Sequence, residues 1–167
     1  RIVHEEAPNA RLILDANASW GETELRRFGP EFAKLNVVLL EQPVDPLDDE
    51  ILRSVSLSIP VAADEAFSDR HSIAGLKEKY QVLNIKLDKT GGLTEALACA
   101  HSGLDQGYRL MVGCMVGSSL SMAPGVVIAQ LCDYVDLDGP LLQASDVAHP
   151  LDYLDGRVGT PGSALWG

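Results

Sequence analysis

Acidic and basic residues close successive apolar runs of this sequence. Asp15 follows "RLIL", Glu41 ends "NVVLLE", Asp64 ends "IPVAAD", Lys86 follows "VLNI", Cys114 ends "RLMVGC" and Asp136 lies in "DYVDLD". Three carboxylates brought to one place repel one another strongly unless a cation sits among them. An all-oxygen ligand set selects a hard ion, and one Mg²⁺ per site is the expectation because that ion keeps positions open for water and a bound molecule. Any one of Asp15, Glu41 and Asp64 reads better as a helix cap or a solvated loop residue; three ending three consecutive runs reverse that balance. Lys86 shares a strand face with Asn84. A lysine beside a divalent cation has its pKa lowered, because the cation disfavours the ammonium form, and it can then serve as a base. Asp15 and Asn17 also lie two residues apart on one face. Asn17, Glu65 and Asn84 are the expected supporting residues, hydrogen-bonded to the ligands or to Lys86, and a purely structural hydrogen-bonding role suits Asn17 and Glu65 equally.

The elements that must position these groups repeat along the chain. Six short apolar runs are predicted strands, and each of the first five is followed by a stretch with helical spacing. "SWGETELRRF" opens with a capping pattern of Ser19 and Glu22, and Gly29-Pro30 is expected to interrupt the helix that begins there. Leu47, Ile51, Leu52 and Val55 make one helical stripe, and Ile73, Leu76 and Tyr80 another. In "GLTEALACAHSGLDQG" the stripe is Leu93, Leu97, Ala100 and Leu104, with Gly107 in the left-handed cap position. The strands read as continuous apolar runs, which predicts a parallel sheet covered by helices on both faces. No GxGxxG or GxxxxGK[ST] turn follows a strand, so an open nucleotide-binding sheet is disfavoured against a (β/α) barrel. A complete barrel takes about 250 residues. The expected fold class is therefore α/β, an incomplete TIM-type barrel with about six of the eight strands, and barrels carry their chemistry at the C-terminal ends of the strands.

Composition sets the outer limits. The 167 residues are 46% hydrophobic and 22% charged, which suits an ordinary globular chain. A net charge of -11, from 13 Lys and Arg against 24 Asp and Glu, argues against nucleic acid or an anionic membrane as partner. Cys99, Cys114 and Cys132 are an odd number without a C-x-x-C spacing, and read as reduced core thiols of a cytoplasmic protein. No apolar run approaches the roughly 20 residues of a membrane span. A zinc hydrolase would need several histidine ligands, whereas His4, His71, His101 and His149 fall in predicted helices or loops.

The stretches "LDANASW", "LLEQPV", "VAADEA", "NIKLDKTGGLTEAL", "MVGCMVGSSL" and "DLDGP" resemble the C-terminal barrel portion of the enolase superfamily, muconate-lactonizing subgroup, and most specifically its dipeptide epimerases of the L-Ala-D/L-Glu epimerase type. The resemblance runs from residue 11 to the end. It implies that Asp15, Glu41 and Asp64 hold the metal, that Lys86 is a catalytic base, and that Asp136 and Asp138 bind the ammonium group of a dipeptide. It also implies that residues 1–167 are the C-terminal part of a (β/α)7β barrel domain. The N-terminal capping domain and the first two strands, with a Lys-x-Lys base, would lie upstream of Arg1. This chain alone is thus expected to be incomplete for catalysis. The expected partners are a small dipeptide, the N-terminal part of the same protein and further copies in a homo-oligomer, and wall-peptide recycling is the process implied.

Mechanism follows from the acidity of the substrate. A hydrogen α to a carboxylate is a very weak acid, so its removal requires a stabilised enediolate, which Mg²⁺ on the carboxylate would supply. Inversion needs one base on each face, Lys86 and the upstream lysine. Asp136 and Asp138 suit a cationic amino terminus; in the alternative, Asp138 merely opens the Asp-Gly-Pro turn. An N-acylamino acid racemase, a cycloisomerase or an o-succinylbenzoate synthase would keep the three acids and Lys86 without needing that pair. An inactive fragment or interaction module is the alternative of another class.

Overall fold

The computed structural model describes residues 1–167, which divide into two compact units, Arg1–Leu83 and Asn84–Gly167. The first unit opens on helix α1 (Ile2–Glu6) and strand β1 (Leu12–Asp15). Helix α2 (Glu22–Phe32), β2 (Val37–Glu41), β3 (Val61–Ala63) and the start of β4 (Val82–Ile85) come next. The strands lie in chain order and are parallel, β1 on β2, β2 on β3 and β3 on β4. The second unit holds the end of β4, helices α3 (Leu87–Thr90) and α4 (Leu93–Asp105), β5 (Arg109–Val112), α5 (Ser119–Ala129) and β6 (Tyr134–Val135), with β5 and β6 parallel. The α/β class with six parallel strands in chain order agrees with the sequence expectation. No helix is long and apolar enough to cross a membrane.

Several local expectations are corrected. Helix α2 runs through Gly29 and Pro30 to Phe32 instead of breaking there, and its first residue is preceded by Gly21 rather than capped by Ser19. Glu24 accepts the Gly21 N–H at 3.0 Å, while the Ser19 hydroxyl donates to Ala16 O at 2.6 Å. Only single 3₁₀ turns, Asp49–Arg53 and Ile73–Leu76, stand between β2 and β3 and between β3 and β4. Ile73, Leu76 and Tyr80 are buried as predicted, but Leu47 is 92% exposed.

Helix α4 buries Ala96, Cys99, Ala100 and Gly103, and Leu104 of the predicted stripe is exposed. Its small residues occupy the packed face, which lets the helix approach its neighbours closely. Gly107 takes a φ of 85°, as its cap position requires. Of the three cysteines only Cys99 is fully buried. Strands β2, β3 and β4 are buried along both faces, whereas β1 alternates and leaves Ile13 and Asp15 exposed. A hairpin of β7 (Tyr153–Leu154) and β8 (Arg157–Val158), unforeseen from sequence, turns on Asp155 and Gly156 with φ of 49° and 71°.

Candidate functional site

In the first unit the register brings the acids level. Asp15 is the β-partner of Glu41, and Glu41 is the partner of Ala62, two residues before Asp64. Beyond the strand ends the loops stay paired: Ala16 N–H donates to Glu41 O, Ala18 N–H to Gln42 O, Trp20 N–H to Pro43 O and Gln42 N–H to Ala62 O, all at 2.7–3.1 Å. One carboxylate oxygen from each of Asp15, Glu41 and Asp64 lies within 4.8 Å of the others. Glu41 and Asp64 are each 4% exposed, so their charges are shielded from water as well as crowded.

Asn17 holds the third acid. Its backbone N–H donates to Asp15 Oδ1 and its side-chain amide to Asp15 Oδ2, both at 2.7 Å. Asn17 and Ala18 take positive φ, 43° and 56°, which bends the chain so that both bonds can form. The donors are all carboxylate oxygens, two of the three residues are buried, and a hard cation among them would relieve their mutual repulsion, so the residues fit a divalent ion such as Mg²⁺.

In the second unit Lys86 directly follows β4, with extended backbone, and is the N-cap residue of α3. Asn84 and Lys86 both lie over Gly113, just past β5: a methyl group there would sit 2.6 Å from Asn84 Oδ1 and 3.0 Å from Lys86 Cε. The shared face expected for residues 84 and 86 is therefore observed. Lys89 donates from Nζ to Asn84 O at 3.2 Å.

Asp136 and Asp138 fall just beyond β6 rather than within it, exposed on either side of buried Leu137. Asp136 N–H still donates to Val112 O at 2.9 Å, and Tyr153 from the unforeseen hairpin donates its hydroxyl to Leu137 O at 2.6 Å. Burial pushes that phenol up to about 12, so it stays a donor. Both acids line a cavity of about 630 Å³ together with Leu141, Tyr153, Leu154 and Arg157. Cys114 is half-buried nearby; burial raises its pKa, Asp136 and Asp138 add to the rise, and a Gly139 N–H bond and Lys86 oppose it. Gly139 packs so closely that a methyl group would lie 2.9 Å from Met115 O. Glu65 is exposed.

The family model described as enolase C-terminal domain-like matches residues 1–164. The chain belongs to this family. Its curated enolase-family relatives include N-acetyl-D-glutamate racemase from Pseudoalteromonas sp, 45% identical over 161 residues, and L-Ala-D/L-Glu epimerase from Escherichia coli, 40% identical over 156 residues. The matches cover 96% and 93% of this chain but 51% and 49% of those proteins, so the chain spans about half the length of the curated relatives it matches. An enolase family member from Agrobacterium tumefaciens with homology to dipeptide epimerases, solved with bound sodium and L-Ala-L-Glu, superposes with a TM-score of 0.96 at 42% identity, covering 99% of this chain and 51% of that one. That agreement places the six-stranded chain within the barrel of the superfamily. A dipeptide epimerase from Methylococcus capsulatus was solved with Mg and the dipeptide L-Arg-D-Lys; it has a TM-score of 0.88 at 32% identity and covers 96% of this chain and 48% of that one.

Gln42, Gly113 and Tyr153 were not singled out as site residues from sequence, yet Gln42 accepts the N–H of Asp64, Gly113 makes room for Lys86, and Tyr153 donates to Leu137 O between Asp136 and Asp138. Only Gln42 carried a signal, as an amide directly after a candidate ligand.

Proposed function

We propose that the complete protein carrying this chain is a Mg²⁺-dependent dipeptide epimerase that inverts the α-carbon of the C-terminal residue of a dipeptide such as L-Ala-L-Glu. The observation that carries the reading is the Asp15–Glu41–Asp64 cluster, in a chain similar to two solved proteins that hold the dipeptides L-Ala-L-Glu and L-Arg-D-Lys. Asp15, Glu41 and Asp64 would hold the ion, with Asn17 fixing Asp15. When bound, a divalent cation offsets the negative charge that develops on a carboxylate as its α-hydrogen leaves.

Lys86 would take or return that proton on one face, and a second base, outside this chain, would act on the other. Gly113 leaves room for the Lys86 stem, which lies with Asn84 over the same glycine. The paired acids Asp136 and Asp138 would attract the dipeptide's ammonium group, as charge-assisted contacts do.

A second reading, racemisation of an N-acylated amino acid, is favoured by the 45% identical N-acetyl-D-glutamate racemase. Such a substrate has no ammonium group for Asp136 and Asp138. Turnover of L-Ala-L-Glu and of N-acetyl-L-glutamate by the complete protein with Mg²⁺ separates the two. The dipeptide reading expects the higher kcat/KM for L-Ala-L-Glu; a higher value for the N-acetyl compound assigns the protein to the racemase reading.

A further inference from the structure

Behind the acid cluster of the first unit runs a buried polar chain that ligand chemistry alone does not require. Gln42 is fully buried and uses every hydrogen-bonding position of its side chain. Its Nε2 donates to Val44 O at 2.8 Å and to the Tyr80 hydroxyl at 3.0 Å. Its Oε1 accepts the N–H of Asp64 at 2.9 Å and of Ala66 at 3.1 Å. The Tyr80 hydroxyl in turn donates to Asp49 Oδ2 at 3.1 Å, and Lys79 Nζ lies 2.6 Å from Asp49 Oδ1.

The direction of this chain is fixed by its far end. An ionised carboxylate only accepts, so Tyr80 must give its proton to Asp49 and has only lone pairs left for Gln42. The amide nitrogen therefore faces Tyr80, and the amide oxygen faces the two backbone N–H groups. Flipping the amide would set its NH₂ against two donors. A buried ion pair adds little net stability beyond what apolar side chains of equal volume would give. Gln42 also takes a positive φ of 29°, a costly conformation for a residue with a side chain. The arrangement suits the holding of a geometry better than the gain of stability.

We infer that Gln42 and Tyr80 are positioning residues for the metal site: Lys79, Asp49, Tyr80 and Gln42 lock the segment carrying Asp64 onto the end of the strand carrying Glu41. The chain thereby sets the separation of two carboxylates, and with it the ion size the site accepts. This deepens the metal reading above and rests on it. Mg²⁺ demands short, near-octahedral contacts, whereas Ca²⁺ tolerates longer and irregular ones, so loosening Asp64 costs Mg²⁺ more than Ca²⁺.

The test is the dissociation constant of each ion, by calorimetry on the complete protein. Tyr80→Phe removes one hydroxyl and should weaken Mg²⁺ about tenfold, with a smaller loss for Ca²⁺, so that the ratio of the two shifts toward Ca²⁺. Gln42→Met keeps the volume, loses the amide contacts and should shift the ratio the same way. Ile73→Val, a buried change elsewhere in the first unit, should lower Tm and leave the ratio unmoved. If Tyr80→Phe and Gln42→Met keep the wild-type ratio whatever their Tm, the chain is structural only and the inference falls. If the wild type binds neither ion, the metal reading itself falls.

Discussion

A side chain on Gly113 would collide with Asn84: the Cβ of an alanine would lie 2.6 Å from Asn84 Oδ1 and 3.0 Å from Lys86 Cε. Asn84 is fully buried and cannot swing into solvent. The separate contact with Lys86 Cε is relieved by displacing the lysine stem, the more flexible of the two side chains.

Gly113→Ala should accordingly lower kcat by at least about tenfold and cost roughly 1–3 kcal/mol of stability, the usual range for overpacking. Enzyme assay and denaturant melts check the two effects. Unchanged kcat with reduced stability would mean that the lysine's position does not matter to turnover.

The carboxylates and Lys86 were legible from sequence because strand geometry is strict. Side chains alternate along extended backbone, so Asn84 and Lys86 share a face, whereas Asp15 ends β1 and Asn17 reaches it through a turn at positive φ that alternation does not encode. The buried strands announced themselves as apolar runs. Helix α4 misled in part because two stripes in it satisfy the helical period, the predicted Leu93-Leu97-Ala100-Leu104 and the buried Ala96-Cys99-Ala100-Gly103, which share Ala100. Periodicity cannot say which stripe packs; the space beside the helix decides, and it admits the small one. The link from Gln42 to Tyr80 spans 38 residues and depends on which backbone groups a buried amide meets, which no local pattern encodes. The Asp155-Gly156 hairpin did carry a local signal, a two-residue turn pair between short apolar segments.

Asp138→Asn should separate substrates by charge. If Asp136 and Asp138 grip an ammonium group, the loss is about 1.5–3 kcal/mol, or roughly ten- to a hundredfold in kcat/KM for L-Ala-L-Glu. The N-acetylated dipeptide should be affected far less. Equal losses for both compounds would remove the acid pair from substrate binding.

Acid stability should depend on Asp146. The hydroxyl and the backbone N–H of Ser119 donate to its carboxylate, at the first turn of α5, and hold its pKa below the ordinary 3.8. A carboxylate depressed on folding contributes stability above its unfolded value, and that contribution is lost as pH falls through the folded one. Asp146→Asn should therefore lower Tm at neutral pH, with the gap to wild type closing as the pH falls below 3.8. A gap that stays constant down to acid would show that the interaction does not depend on the charge.

The most direct test of the account is hydrogen exchange at the substrate α-carbon in deuterated water, followed by NMR on the complete protein with Mg²⁺ and each dipeptide epimer in turn. Wild type should convert L-Ala-L-Glu to L-Ala-D-Glu with deuterium at the inverted carbon. Lys86→Ala should abolish the conversion and confine any remaining exchange to one epimer, because only the base on the other face survives. Conversion by Lys86→Ala at the wild-type rate, from both epimers, would contradict the assignment of Lys86 as a face-specific base.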